Sequence, residues 1–402
     1  MTTTKARGVK PMKSPKPTLL QGAMVMMMSA GMANHVFILP ALLRATGRDA
    51  WMCIICTAPI MLLLLLTMHF IAKKLGDEPL IHWISRHAGR TVSVVFQVML
   101  TLYAVVNIFS TMYETMLWVR INFLLNTPMG ITSLFLMLVC YRASSKGLRA
   151  IANTAGILLP LVCLFGFTIA SINLKYKDYN QLLPMLEHGI WPVINGMVYV
   201  MAGAFELILF LILQSGLRSR INLKTLLILG FSVLFITFGP VIGAIAEFNP
   251  YEAIHQRFPA YEEWRLATVG KFLSQTDFLS IFQWLAGSFL RICFLLYVTV
   301  EMWQIKTERQ KNTALLFICV VLVLIGLAPI SDVYMHQYTG EWLYPSNLVL
   351  LSLAAAGLAV IAAKAGRSGD TRGQSGQQPG QPRQQQPKQR KLRKPRVHGS
   401  GG

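Results

Sequence analysis

The hydrophobic residues of this chain lie in long, nearly uninterrupted runs separated by polar segments. A helix of about 20 apolar residues is long enough to cross the hydrocarbon core of a bilayer, which is about 30 Å thick. The pattern therefore predicts an all-α membrane protein with ten spans. The predicted spans cover residues 18–43, 49–72, 93–123, 128–142, 149–173, 191–213, 223–246, 276–303, 312–330 and 345–364.

The first span carries small residues near its middle, where a simple membrane anchor would have Leu or Ile. These residues are Ser29, Ala30 and Gly31. Glycine destabilises a helix by about 1 kcal/mol relative to alanine. Unwound backbone at membrane depth is tolerated only where it faces protein, water or a ligand. We therefore predict a break in the helix at this point.

The sixth span has the same character. Its predicted break is Met201-Ala202-Gly203-Ala204, and Glu206 follows within one turn. Breaks at matching places in two halves predict a five-plus-five inverted repeat with a ligand site between the first and sixth spans. Free N–H groups at half-helix ends suit a carboxylate, and free carbonyls suit an ammonium group, so a zwitterionic amino acid fits both. The alternative is that the small residues are packing notches between helices.

Composition supports the membrane assignment. Of the 402 residues, 54% are hydrophobic and 13% are charged, and the mean hydropathy is +0.50. A soluble domain has about 25% charged residues. The sequence also lacks the spacing of a metal cluster, a nucleophile triad or a phosphate-binding loop. We therefore predict no enzyme activity, no catalytic or metal-ligating residue and no cofactor.

The net charge of +20 suggests nucleic acid at first sight, but the placement of the basic residues favours a membrane explanation. With the N-terminus in the cytoplasm, cytoplasmic segments hold 28 of the 37 Lys and Arg residues. This is the bias typical of membrane proteins. It predicts that both termini are cytoplasmic, that residues 1–17 form a basic cytoplasmic segment, and that nucleic acid is not a partner.

Several segments outside the spans have distinct predicted structures. Residues 365–402 are basic and rich in Gln, Pro and Gly, which predicts a disordered cytoplasmic tail. Each basic residue between Lys388 and Arg396 would add about 1 kcal/mol of attraction to anionic lipid. Segment 247–275 is predicted either to form short amphipathic helices or to be a solvated loop, and Pro79–His87 is predicted to form a surface helix.

Glu206 and Arg291 are charged residues within predicted spans, where an unpaired charge is unfavourable. Glu206 has three open interpretations, because it can sense protons, hold a ligand ammonium group or pair with a basic residue. Arg291 in the eighth span requires a counter-charge or a route to the cytoplasmic interface.

Tyr103 and Asn107 are one helical turn apart in the third span and therefore share a face. We expect them to face the site beside Gln283 and Gly287 of the eighth span, although such residues also serve as contacts between helices. The predicted ligand-binding residues are Ser29, Ala30, Gly31, Tyr103, Asn107, Ala202, Gly203, Glu206, Gln283 and Gly287.

Several short motifs occur in a characteristic order. They are Ala30-Gly31 through Leu39-Pro40, Gly147-Leu148-Arg149 leading to Pro160, Leu183-Pro184, Ala204-Phe205-Glu206, Asp277-Phe278 through Trp284, Gly287-Ser288-Phe289, and Leu296-Tyr297. With these motifs the chain resembles the spore-germination amino-acid permease family, the B subunits of nutrient germinant receptors. That family is part of the amino acid–polyamine–organocation superfamily.

The resemblance implies a LeuT-like fold and recognition of a small nutrient, often an amino acid. It implies residence in the spore inner membrane, with a membrane-embedded A subunit and a lipoprotein C subunit as partners. A working proton-coupled amino-acid transporter of the same superfamily is the alternative. A scaffold with a vestigial pocket is a third interpretation.

Overall fold

The computed structural model of the protein describes residues 15–268 and 276–374. Most of the predicted N-terminal segment, most of the predicted tail and residues 269–275 lie outside the described residues. Within them the regular structure is helical, without strands. The α-helices are α1 Leu19–Met32, α2 Leu39–Thr46, α3 Ala50–Leu75, α4 Leu80–Ala88, α5 Arg90–Asn122, α6 Met129–Ser145, α7 Leu148–Ile172, α8 Trp191–Ala204, α9 Phe210–Leu213, α10 Leu223–Phe248, α11 Pro250–His255, α12 Pro259–Leu266, α13 Phe278–Met302, α14 Glu308–Gly326, α15 Asp332–Tyr338 and α16 Tyr344–Gln374.

Capping side chains fix where several of these helices begin. Thr18 and Gln21 form a reciprocal capping box at the start of α1. The side chains of Asn222 and Thr307 accept hydrogen bonds from backbone N–H groups in the first turns of α10 and α14. Each cap satisfies an N–H group that has no partner within its helix.

The helices follow the predicted spans closely, but the count of ten spans stays a prediction. Eight helical stretches of the described residues are long and apolar enough to cross a membrane, and Met129–Ser145 is apolar but shorter. The first predicted span is not one of the eight, and its α-helix has 14 residues. The last helix continues beyond the predicted end of its span at residue 364.

The first and sixth spans are both irregular, but not where or how the sequence predicted. Ser29–Gly31 lies inside α1, and a π-helical segment, Ala33–Phe37, follows it. Met201–Ala204 lies inside α8, and a 3₁₀ segment, Phe205–Leu209, follows it. The backbone changes its hydrogen-bond spacing instead of unwinding, which keeps its polar groups paired within the protein.

The helix contacts repeat between the two halves of the chain. In the first half α1 contacts α7, and in the second half α8 contacts α16 at the corresponding positions. The contact of α3 with α8 likewise matches that of α10 with α1. The corresponding helices α5 and α13 pack directly on each other. This pattern fits two five-span halves.

Loops assigned to one side of the membrane contact each other. Arg220 pairs with Asp77 at 2.9 Å, and the N–H of Arg218 donates to the carbonyl of Pro17. On the opposite side Arg48 lies 3.4 Å from Glu187. The short helices α4, α11 and α12 occupy the segments for which surface helices were predicted.

Glycines allow the closest approaches between helices. A Cβ atom on Gly196 of α8 would lie 2.2 Å from Cγ2 of Thr46 and 2.6 Å from Sγ of Cys53. A Cβ atom on Gly156 of α7 would meet nothing nearer than Sδ of Met24 at 4.0 Å. Gly196 is therefore required by packing, whereas Gly156 is not.

We predict that Gly196→Ala lowers the thermal unfolding midpoint of the purified protein, because overpacking costs about 1–3 kcal/mol. Gly156→Ala is the matched control and should leave the midpoint unchanged or slightly raised. Thermal unfolding in detergent, followed by intrinsic fluorescence, measures both. Equal midpoints for the two variants would contradict this account of the α8 contact.

Candidate functional site

The centre of the bundle contains a buried ion pair between Glu206 and Arg291. Arg291 Nη1 lies 2.6 Å from both carboxylate oxygens of Glu206. The two side chains are 1% and 4% exposed, which removes them from water. Ser29 and Tyr103 also donate hydroxyl hydrogen bonds to this carboxylate, at 2.6 and 2.9 Å. Of the three interpretations of Glu206 from sequence, the structure shows pairing with a basic residue.

The other donors of the Arg291 guanidinium are also occupied. Nε donates to the hydroxyl of Thr111 at 3.1 Å, and Nη2 donates to Oδ1 of Asn107 at 3.2 Å. Nη1 also donates to the backbone carbonyl of Ser29 at 2.9 Å. Each of the three guanidinium nitrogens therefore has a hydrogen-bond partner, as a buried charge requires.

The polar network extends to the last span. The side-chain amides of Asn107 and Asn347 exchange two hydrogen bonds of 3.1 Å. The network therefore joins α1, α5, α13 and α16 to the 3₁₀ segment that carries Glu206. We call Ser29, Tyr103, Asn107, Thr111, Glu206, Arg291 and Asn347 the central network.

Side chains bond two backbone carbonyls near the irregular segment of the first span. Ser29 O accepts from Arg291, and Ala30 O accepts from Nδ2 of Asn34 at 2.9 Å. Asn34 also fills the space beside Gly203, where a Cβ atom would lie 2.3 Å from its Nδ2. The small residue at 203 therefore makes room for Asn34. The predicted contact of a ligand with free peptide groups stays a prediction.

A cavity of about 250 Å³ lies beside the central network, between α1, α7, α10, α12 and α13. Small-molecule sites in proteins usually measure about 300–1,000 Å³, so this volume favours a small ligand. Most of its wall is apolar, with Met28, Met32 and Trp284 among its members. It opens at the protein surface beside Phe235, which is 62% exposed.

A few polar groups interrupt this apolar wall. Gln283 is held in place because Trp264 Nε1 donates to its Oε1 at 3.1 Å and its Nε2 donates to Val162 O at 3.3 Å. The Nδ1–H of His35 donates to Ile236 O at 3.0 Å. Lys177 and Glu263 line the end of the cavity near α12.

The structure divides the predicted site residues into three groups. Gly31, Gln283 and Gly287 line the cavity. Ser29, Tyr103, Asn107 and Glu206 belong to the central network, while Ala30, Ala202 and Gly203 pack around the irregular segments. The cavity and the central network adjoin, because Gly287 packs on Met32 and lies one turn before Arg291.

Sequence reasoning did not assign Asn34, Asn347, Lys177 or Glu263 to a site. Asn34 and Asn347 carried a usable signal, since each is a polar amide in an apolar helix. Lys177 and Glu263 lie in segments that resemble ordinary polar loops. Their approach to each other depends on how α7, α10 and α12 pack, which the chain order does not reveal.

We predict that Glu206→Gln and Arg291→Met each destabilise the protein by about 3–5 kcal/mol, because the remaining charge is buried without its partner. The double variant should lose much less than the sum of the two. Unfolding midpoints of all four proteins test this. Asp77→Asn and Arg220→Met provide an exposed control pair, for which about 0–1 kcal/mol is expected. Additive losses at Glu206 and Arg291 would show that they do not act as a pair.

The fold resembles a solved structure, MhsT in complex with L-phenylalanine. The match has a TM-score of 0.62 and 12% sequence identity, and it covers 85% of this chain and 90% of the other. It shows that this chain has a LeuT-like fold.

Two proteins found by sequence comparison have higher sequence identity to this chain than that structure has. Spore germination protein XB of Bacillus anthracis is 36% identical over 340 residues, which cover 85% of this chain and 96% of the relative. Spore germination protein KB of Bacillus subtilis (strain 168) is 24% identical over 265 residues, which cover 63% and 69%. The family described as "Spore germination protein" matches residues 20–333. The chain is therefore an integral membrane protein that belongs to the spore germination protein family.

Proposed function

We propose that this protein recognises a small nutrient, an amino acid with an apolar side chain, as the B subunit of a spore germinant receptor. The observation that carries the proposal is the cavity beside the central network, whose volume and mostly apolar wall fit such a molecule. The family relatives and the fold shared with a protein bound to L-phenylalanine support it.

The contacts around the cavity suggest how binding is transmitted. Met28 and Met32 of α1 form part of its wall, and the neighbouring Ser29 bonds both Glu206 and Arg291. A ligand that moves α1 relative to α13 must therefore rearrange the central network. A ligand shifts such an equilibrium only by the difference between its affinities for the two arrangements.

Membership of the spore germination protein family supports a proposed cellular setting. We place the protein in the spore inner membrane with both termini in the cytoplasm, and we assign the A and C subunits of the receptor as its partners. The basic tail would attract anionic lipid on the cytoplasmic face. Co-purification of tagged protein from spores tests the partners, and absence of both subunits would contradict the assignment.

Filling the cavity should abolish nutrient binding and response. Gly31 and Gly239 both line it, and a Cβ atom on Gly239 would meet nothing within 4 Å. We predict that Gly31→Leu and Gly239→Leu weaken binding by at least about tenfold, because the new side chains occupy the ligand volume. Titration of purified protein with L-alanine, L-valine, L-leucine and L-phenylalanine, together with spore germination by the same amino acids, measures the effect.

Gly156→Leu is the matched control, since Gly156 is also helical but does not line the cavity. Its binding should equal that of the unsubstituted protein. If both filled variants bind and respond normally, the nutrient site lies elsewhere. Gly239→Leu provides a second test in case Gly31→Leu does not fold. A Cβ atom at position 31 would lie 3.0 Å from Cδ1 of Ile236.

A proton-coupled amino-acid transporter is the second candidate. The buried acid Glu263 at the cavity wall favours it, because such a group can exchange a proton as ligand binds. Uptake of labelled amino acid by the purified protein in liposomes, with and without a pH gradient, separates the candidates. We expect no gradient-dependent uptake, and robust uptake by this subunit alone would favour the transporter.

A further inference from the structure

Two buried carboxylates meet one lysine at the α12 end of the cavity. Lys177 Nζ lies 3.4 Å from Oε1 of Glu247, and Nδ2 of Asn173 donates to the other oxygen of Glu247 at 3.0 Å. The same Nδ2 donates to the backbone carbonyl of Glu263 at 2.7 Å, which ties the two acidic residues together. We call Asn173, Lys177, Glu247 and Glu263 the carboxylate cluster.

The cluster is built into the packing of the helices. Gly243 and Glu247 are one turn apart on α10, and the Glu263 carboxylate lies against Gly243. A Cβ atom on Gly243 would be 2.6 Å from Oε1 of Glu263. Glycine at this position therefore leaves room for the acid.

Among the residues that the structure describes, the cluster has two carboxyl groups, one ammonium group and oxygen acceptors without hydrogen-bond partners. Two carboxylates face a single ammonium group, and Glu263 is 8% exposed. Oε1 of Glu263 and Oδ1 of Asn173 are buried without a hydrogen-bond partner among the described residues. Burial, and then the neighbouring Glu247, raise the pKa of the Glu263 carboxyl well above its ordinary value. At such a site a bound cation can supply positive charge in place of a proton.

We propose that the carboxylate cluster binds one monovalent cation at the end of the cavity, with Glu263 as the principal ligand. Two sources share this chemistry: the ammonium group of the nutrient and an inorganic ion such as Na⁺ or K⁺. Lys177 and Glu263 both line the cavity, so a bound molecule can reach the cluster directly. The ammonium source rests on the proposed function, whereas the inorganic source does not.

Glu263→Gln tests the site, because it keeps the shape of the side chain and removes its charge. The adjacent residue on α12 gives a matched control, Glu262→Gln, since Glu262 pairs with Arg265 and does not line the cavity. The unfolding midpoint of each full-length protein is measured in choline chloride, NaCl, KCl and NH₄Cl at constant ionic strength. The series is repeated in choline chloride with isopentylamine or L-leucine.

We expect the effective cation to raise the midpoint of the unsubstituted protein and of Glu262→Gln, but not of Glu263→Gln. Its binding to Glu263→Gln should weaken by at least about tenfold, because the cation loses its interaction with a negatively charged oxygen ligand. In choline chloride alone Glu263→Gln should be at least as stable as the unsubstituted protein, because the repulsion from Glu247 is removed. An effect of Na⁺ or K⁺ identifies the inorganic source, and an effect of isopentylamine or L-leucine alone identifies the ammonium source.

Other outcomes overturn the proposal. These are equal responses of the unsubstituted protein and Glu263→Gln, an equal loss in Glu262→Gln, or no response of the unsubstituted protein to any probe. If L-leucine binds Glu263→Gln normally but fails to bind Gly239→Leu, and no inorganic ion acts through Glu263, the nutrient cavity is supported and the cation site is contradicted. If Na⁺ or K⁺ raises the midpoint of the unsubstituted protein but not of Glu263→Gln, and no amino acid binds, the cation site is supported. The proposed recognition of an amino acid is then contradicted. Glu247→Gln repeats the test if Glu263→Gln does not fold.

Discussion

The buried pair of Glu206 and Arg291 is the interaction on which the centre of this structure depends. Neither charge can be kept among apolar helices alone, because removal from water costs several kcal/mol for each ion. Together they are kept charged by each other and by hydroxyl, amide and carbonyl groups from neighbouring spans. The partners of the pair lie on α1 and α5, and Asn107 also bonds Asn347 of α16, so the pair and its network fix how five helical segments meet.

The need to pair buried polar groups explains why the first and sixth spans contain π and 3₁₀ segments instead of unwound backbone. A free carbonyl at membrane depth must be bonded, and here Arg291 and Asn34 bond the carbonyls of Ser29 and Ala30. The π and 3₁₀ segments provide the required change of direction while most backbone hydrogen bonds remain. A LeuT-like fold can therefore keep its backbone polar groups paired through irregular first and sixth spans.

The cavity and the central network share neighbouring residues of α1 and α13. Met32 of α1 and Gly287 of α13 pack together in the wall of the cavity. Arg291, one turn after Gly287 on α13, donates a hydrogen bond to a backbone carbonyl of α1. A packed, fully bonded centre has discrete arrangements instead of a continuous range, so a small ligand beside it can favour one of them. The carboxylate cluster at the far end of the cavity adds an electrostatic contact that depends on what the cavity holds.

The sequence alone determined the membrane class, the approximate spans, the family and the irregularity of the first and sixth spans. Those properties depend on local runs of apolar residues and on the order of short motifs, which can be read along the chain. It also identified Glu206 and Arg291 as charges that needed partners. It did not reveal that they were partners of each other, because residues 85 positions apart meet only when the helices pack. The separation of the predicted site into a closed network and an open cavity was likewise decided by tertiary structure, since Gly31 and Ser29 face different neighbours although they are two residues apart.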